Sequence, residues 1–511
     1  MAAEPEVPPG AVGRRVSCRG ERATVRYVGP VPPTQGLWLG VEWDHPGRGK
    51  HDGSHDGVRF FTCRHPTGGS FLRPAAVSFG RDYPSVVQET YRMDSTQVRR
   101  DGHAVDTQWG KLKDISLDRW TSVALNRSDV NGPGAAGAVR KTTPNVTTLS
   151  LSWTLLSCWD DVATISQQLE QLSQLDLSSN RLALPSDLSP HLHSFPRLRT
   201  LHLNNCDLTW AQILEVAPLW PQLEVLGVEG NAIRELQRPE EVLQALQQLS
   251  LAGNPLLQDS VISIAALPRL EMLNLSQTGL SELRFEDAAP GGHTSSFPAL
   301  TTLHLDDNVI SEWRAVDELA KLSGLVKLTC RRNRLVTSDG FASTARQLVI
   351  AKLGHLEALD GVDISVKERN GAEFDYIKMF REEWLKAGGG GQPSSQFICQ
   401  HPRYLSLIDK HGDPEIGQRK PFILRNQLLQ ITFKFPDDPD RKSFDKKLPG
   451  SMQVLKVKAL LRRLLKVHTA DLRLSYITPQ KVGMEYEIDN DLKPLQFFSV
   501  ADGDQVLVRW S

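Results

Sequence analysis

The chain has 511 residues, with 59 Lys and Arg against 60 Asp and Glu, a formal net charge of −1. A balance this even argues against a nucleic-acid partner or an anionic membrane surface, and no stretch approaches the ~18 apolar residues that a membrane span needs. The length allows roughly three or four domains at about 150 residues each.

The six cysteines, Cys18, Cys63, Cys158, Cys206, Cys330 and Cys399, are scattered, with no C-x-x-C pair. Neither a zinc site nor a disulfide framework is expected from that spacing, and a reduced compartment fits it. The first ten residues lack a basic start and an apolar run, so a secretory signal is not expected and the cytoplasm is. No cofactor or metal is expected.

Residues 10–82 read as short strands broken by Gly and Pro, which predicts a small β-barrel. Two aromatic clusters lie in it, one with Trp38 and Trp43 and one with Phe60, Phe61 and Phe71. Between them runs Gly49-Lys50-His51-Asp52-Gly53-Ser54. Glycines at both ends let another backbone come close, Lys50 offers a charge and the backbone N–H groups offer donors, which together suit a carboxylate. From Arg14 to Arg73 there are ten Lys and Arg against five Asp and Glu, a local excess that would steer an acidic ligand. His51, Asp52, His55 and Asp56 read as a solvated loop rather than a metal site.

Gly36-Leu37-Trp38, Gly40-Val41-Glu42-Trp43, Gly49-Lys50-x-Asp52-Gly53, Phe61-x-Cys63 and Gly69-Ser70-Phe71 together resemble a CAP-Gly domain. The resemblance implies binding of acidic C-terminal tails that end in an aromatic residue, above all that of α-tubulin. It also implies Trp38, Trp43, Gly49, Lys50, His51, Asp52, Gly53, Phe61 and Phe71 as the tail-binding residues. The family's loop usually reads Gly-Lys-Asn-Asp-Gly, and His51 stands in the place of the Asn.

Residues 83–117 are mixed in character and read as a connector and as the N-terminal cap of the next domain. Residues 118–387 read as repeats of one template followed by a helical C-terminal cap that ends near Lys386: Leu172-x-x-Leu175-x-Leu177-x-x-Asn180 is a clear instance of the template, and weaker ones begin at Trp120 and Val146. Counted from Trp120 the steps are 26, 26, 26, 25, 23, 24, 30 and 25 residues, the long one holding an insertion at Pro290–Ser296. This is the pattern of a leucine-rich repeat, an α/β solenoid in which each unit makes a short strand that only stacked neighbours can bury. The Asn at the ninth position (Asn180, Asn231, Asn254, Asn308, Asn333) is expected to turn the chain out of the strand and bond unpaired backbone groups, with Cys206 and Thr278 as substitutes. Residues between the paired leucines should line a concave sheet. Contact candidates there are Asp176, His202, Asn274 and His304, with Lys327, Arg331 and Arg332 near the C-terminal end. The run Asn131–Gly137 reads as a loop.

Residues 388–420 begin with four glycines and read as a flexible linker. In 421–511 the period changes to strand, strand, helix, strand, strand, strand, with apolar residues of Val454–Val467 at helical spacing. That order, with Ala501-Asp502-Gly503-Asp504 before the final strand, resembles an α+β ubiquitin-like β-grasp domain. The chain stops at Val508-Arg509-Trp510-Ser511 without a diglycine. A docking module is therefore expected rather than a conjugated modifier, facing proteasomal or ubiquitin receptors or another chaperone.

Barrel, solenoid and β-grasp in that order resemble the tubulin-specific chaperone E family. The resemblance implies a non-enzymatic chaperone that captures α-tubulin and works with tubulin cofactors B, C and D on the α/β-tubulin heterodimer, in the cytoplasm and at the cytoskeleton. The sequence has no G-x-x-x-x-G-K-[ST] and no setting for a catalytic cysteine, so no catalytic residue is named. The rival expectation is a microtubule plus-end adaptor whose barrel reads polymer tails.

Overall fold

The computed structural model describes residues 7–97, 119–337, 340–389, 393–412, 428–438, 440–465, 472–477, 485–498 and 500–510. The chain divides into two compact units, Met1–Asp413 and Pro414–Ser511. No helix among the described residues is long and apolar enough to cross a membrane.

The first unit opens with the barrel. Apolar residues at every second position (Val16 and Cys18, Ala23 and Val25, Leu39, Val41 and Trp43) turn one face of the strands Arg15–Cys18, Glu21–Val31 and Thr34–Trp43 into a common core. These strands pair antiparallel in chain order, and Gly69–Leu72 closes on the third. The solenoid follows as an eleven-stranded sheet. Ten of its strands, from Ser122–Ala124 to Ala358–Leu359, are parallel and pair leucine to leucine in register from Val123 to Leu359. That row is buried throughout.

The asparagines hold the ladder by hydrogen bonds on both sides of the amide. In Asn254, Nδ2 donates to Val228 and Leu251 carbonyls at 3.0 and 2.8 Å, while Oδ1 accepts the Asn231 and Ile233 N–H at 2.8 and 3.0 Å. The same pattern recurs at Asn180 and Asn308. Where Thr278 replaces Asn, its hydroxyl donates to the Leu275 carbonyl at 2.6 Å, and Cys206 does the same more weakly to Leu177 at 3.4 Å.

The start of the expected N-terminal cap packs on the solenoid, and two other stretches differ from expectation. Tyr83–Gln97 is a helix whose Tyr83, Val86 and Val87 join the solenoid core, and the Tyr83 hydroxyl bonds Thr143 at 2.9 Å; residues 98–117 of the expected connector lie outside the described residues. Within the Asn131–Gly137 loop, Val130–Gly132 pairs as a strand with Arg81–Asp82. The expected flexible linker 388–420 contains two helices, Ser395–Gln400 and Tyr404–His411, that bury Phe397, Tyr404 and Leu407 on the solenoid's C-terminal end. Phe397, His401, Tyr404 and Ile408 recur at helical spacing, a signal hidden behind the glycines that precede it. Residues 390–392 and 413–420 of that span lie outside the described residues. The fully buried Glu373 of the helix Val366–Lys386 fastens this end to Arg403, Lys410 and His411 at 3.1, 2.7 and 2.7 Å. Burial alone would push its carboxyl up, but the hydrogen bonds from Lys410, His411 and Arg403 win and hold it at about 2.

The second unit is a five-stranded sheet in the order Phe444–Pro449, Leu428–Lys434, Gln505–Trp510, Leu472–Ile477, Tyr486–Ile488, with the first and last strands in sequence parallel at its centre. The helix Val454–Leu465 packs Val454, Val457 and Leu461 against Ile431, Phe433 and Val508. The turn at Ala501–Asp504 is tied by the Asp504 carboxylate, which accepts the Ala501 N–H at 2.7 Å, and by Asp502, which accepts the Gln430 N–H at 2.6 Å.

Candidate functional site

The glycine-bounded loop of the barrel is held by backbone. Lys50 N–H donates to the Gly69 carbonyl at 2.7 Å and Gly69 N–H returns to the His51 carbonyl at 2.7 Å. A Cβ on Gly49 would stand 2.3 Å from the Thr67 carbonyl oxygen, and one on Gly53, at φ +101°, would stand 2.0 Å from that of Phe61. Both positions therefore require glycine, the second for conformation as well as space. With its backbone clamped, the loop leaves the Lys50 side chain exposed.

His51 and Asp52 are bound into the loop. His51 Nδ1 accepts the Gly53 N–H at 3.1 Å, and its ring lies 4.9 Å from Phe71. Burial lowers its pKa, with Asp52 opposing, so the ring is neutral at pH 7 and its one proton sits on Nε2. An N–H donor thus remains at the place where the resemblance puts an Asn amide. Asp52 accepts the Ser54 N–H at 3.1 Å and pairs with Arg59 at 2.8 Å. The Ser54 hydrogen bonds, with Arg59, hold its carboxyl below the usual range.

The aromatic residues separate by burial. Trp43 is 4% exposed, belongs to the barrel core and has Nε1 donating to Ser70 Oγ at 2.9 Å, whereas Phe61, 7% exposed, lies over Gly40 among the site residues, its ring 6.0 Å from His51. Trp38 and Phe71 are half-buried. Trp38 donates to Thr34 Oγ1 at 2.9 Å and carries the Arg73 guanidinium 3.8 Å from its ring centroid. Phe71 meets Phe60, Phe61 and Tyr27 edge to face at 5.4, 5.5 and 6.5 Å. Tyr27 and Arg73 were not among the residues expected from sequence. Arg73 lies two residues beyond Phe71 on the strand's exit, and its cation–π pairing with the half-buried Trp38 joins residues far apart in the chain, which no local pattern displays.

On the solenoid the candidate residues line one face but do not converge. Asp176 accepts the Ser150 hydroxyl at 2.9 Å, Asn274 donates to Ser250 at 3.0 Å, and His304 Nδ1 meets the Thr329 hydroxyl at 3.1 Å. Burial lowers the His304 pKa, and Asp306 opposes it. The His202 ring fills the space over Gly227, where a Cβ would stand 2.7 Å from its Nδ1. Arg332 is engaged by Asp307, with Nη2 at 2.6 Å from Oδ2. Lys327 and Arg331 form no ion pair among the described residues.

Barrel and solenoid touch directly. Arg22 pairs with Asp129 at 3.0 Å and donates to the Arg127 and Ser128 carbonyls at 2.9 and 3.0 Å, while Ser17 donates to Asp129 at 2.8 Å. Farther along, Arg64 pairs with Asp207, which also faces Arg181 at 3.7 Å.

Among the described residues no three His, Cys, Asp or Glu side chains gather as a metal site. Burial pushes the thiols of Cys63, Cys158 and Cys206 up to about 11 and that of Cys330 to about 12, so these cysteines stay protonated near neutrality.

Residues 12–77 match the CAP-Gly domain family. The chain is 53% identical to the Tubulin-specific chaperone E of Danio rerio over 98% of this chain and 99% of that one, and 45% identical to that of Homo sapiens over 98% of each. Among solved structures, the C-terminal ubiquitin-like domain of mouse tubulin-specific chaperone e is 49% identical, spans 18% of this chain and 94% of its own, and superposes with a TM-score of 0.17.

Proposed function

The chain belongs to the tubulin-specific chaperone E family, and on that premise we propose that it is a cytoplasmic, non-enzymatic tubulin chaperone that grips α-tubulin at two places. The acidic tail of α-tubulin lies along the barrel, its carboxylates against Lys50 and the loop donors and its aromatic end against Trp38, His51 and Phe71. The folded body of α-tubulin rests on the solenoid's concave row, from Asp176 and His202 through Asn274 and His304 to Lys327 and Arg331. Acting with tubulin cofactors B, C and D, the chaperone assembles the α/β-tubulin heterodimer and takes it apart.

The observation that carries this reading is an exposed Lys50 on a clamped loop beside a half-open aromatic face. The Arg22–Asp129 and Arg64–Asp207 pairs support a joint grip, because a barrel seated on the solenoid loses less freedom on binding than one that swings on a tether.

Size-exclusion chromatography with αβ-tubulin tests the reading: a complex containing α-tubulin should elute, with β-tubulin released. Lys50→Ala should weaken a tail peptide by about tenfold, the scale of one lost charge-assisted contact, and whole α-tubulin by less. Unchanged affinity for whole α-tubulin would remove the barrel as a capture point. Stable co-sedimentation with microtubules, without a dimer complex, would favour a plus-end adaptor instead.

A further inference from the structure

The carboxy-terminal unit segregates its charge. Arg441–Arg463 holds eight Lys and Arg against one acid, Asp445, whereas Glu485–Asp504 holds six acids against Lys493 alone. The basic stretch includes a sheet edge: Phe444–Pro449 pairs with Leu428–Lys434 on one side and, among the described residues, with nothing on the other. Its backbone groups on the open side are a template for another strand.

Beside that edge lies a groove of about 300 Å³, between the strand and the last turn of the Val454–Leu465 helix. Its apolar surface comes from Phe435, Phe444, Leu464 and Leu465, with Leu464 45% exposed. Lys442 and Lys446 stand at its rim, exposed and without an ion pair among the described residues. Of the lining residues, the acid Asp445 already accepts the Thr432 hydroxyl at 2.8 Å, and Arg441 is engaged by Asp438 at 3.6 Å, one of three acids (Asp437, Asp438, Asp440) that precede the basic stretch.

Charge selects the occupant. Adjacent lysines, Lys446 and Lys447, oppose the pairing of this edge with a second copy of itself, yet they attract a negatively charged strand. The sheet's other edge, Tyr486–Ile488, is flanked by Glu485, Glu487 and Asp489 and repels the same ligand. We propose that the Phe444–Pro449 edge and the adjoining groove dock an extended acidic protein segment as a sixth strand. One aromatic or branched aliphatic side chain of that segment fills the groove and its carboxylates meet Lys442 and Lys446.

Hydrogen–deuterium exchange on the full chain tests this, at about 0.15 M salt to screen weak surface attraction. The probe is the peptide Asp-Glu-Val-Phe-Val-Glu-Asp-Glu, acetylated and amidated so that it offers no terminal carboxylate to the barrel loop. The peptide should slow exchange over residues 444–449. The double variant Lys442→Glu/Lys446→Glu, both sites being exposed, should keep the unliganded exchange pattern and bind at least about tenfold more weakly. Replacing the peptide's Phe by Ser should weaken binding by a similar factor. No protection, or protection confined to the barrel or solenoid, would overturn the edge as a docking site, and equal binding of the Ser peptide would overturn the groove.

Discussion

His51 shows how one substitution in a motif is absorbed. Its Nδ1 takes the Gly53 N–H and its ring leans on Phe71, so the loop keeps a neutral side chain with one N–H donor. The consequence is a pH dependence that an amide would lack. Burial sets the folded pKa of His51 below 6.5, so its contribution is intact above about pH 6.5 and is lost as the pH falls through the lowered value. The variant His51→Asn should therefore bind the tail peptide comparably at pH 7 and lose less protection against hydrogen exchange over residues 49–54 on acidification. An equal acid-side loss in the variant would place the effect elsewhere. The motif residues themselves were legible, but their division was not: Trp43 faces the core, Phe61 is covered by the loop and Phe71, and Trp38 and Phe71 stay half open, and identity alone does not reveal which face of a strand a residue occupies.

At the scale of elements the solenoid and its end cap respond to different stresses. Asn254 satisfies four buried backbone groups, so Asn254→Ala strands donors and acceptors that no water reaches. A loss of about 3 kcal/mol or more is expected, read as a lower urea midpoint of the solenoid transition with the second unit's transition unchanged. The end cap is sensitive to acid. The Tyr376 hydroxyl and His401 Nδ1 share a hydrogen bond at 2.8 Å, and burial, with Lys352 nearby, brings the His401 pKa down to about 4. The unfolded chain takes up that proton from pH 6.5 downward while the folded cap resists, so the cap weakens between about pH 6.5 and 4. Glu373, with its carboxyl held at about 2, adds a second loss between about pH 4.5 and 2. Hydrogen exchange over residues 395–411 should rise in the first window before the central repeats change; simultaneous loss would deny the cap its separate behaviour. The leucine template was readable because a repeating strand must show a repeating apolar pattern. The capping helix up to Lys386 was also readable, but the two helices within 395–411 were not, because they are short and follow a glycine run.

For the first unit as a whole, the seating of barrel on solenoid decides how the two surfaces work together. Arg22 and Asp129 come from segments more than a hundred residues apart, and both change environment if the barrel leaves. A double-mutant cycle with Arg22→Ala and Asp129→Ala should give a coupling of about 1–2 kcal/mol in the stability of the barrel. Under the proposed two-point grip, either variant should leave affinity for a tail peptide nearly intact and weaken whole α-tubulin binding. Equal losses for peptide and protein would mean that the seating serves the loop alone.

The sequence by itself determined the three folds, their order and the glycine-bounded loop of the barrel. Each of these rests on local periodicity, glycine placement or a short motif, which a linear chain displays directly. Only the tertiary structure decided that the barrel is seated on the solenoid and that residues 395–411 close its C-terminal end. It alone sets Lys442 and Lys446 beside an apolar groove on an open sheet edge. These outcomes depend on contacts between residues far apart in the chain, such as Arg64 with Asp207 and Glu373 with Arg403, whose partners no local pattern specifies.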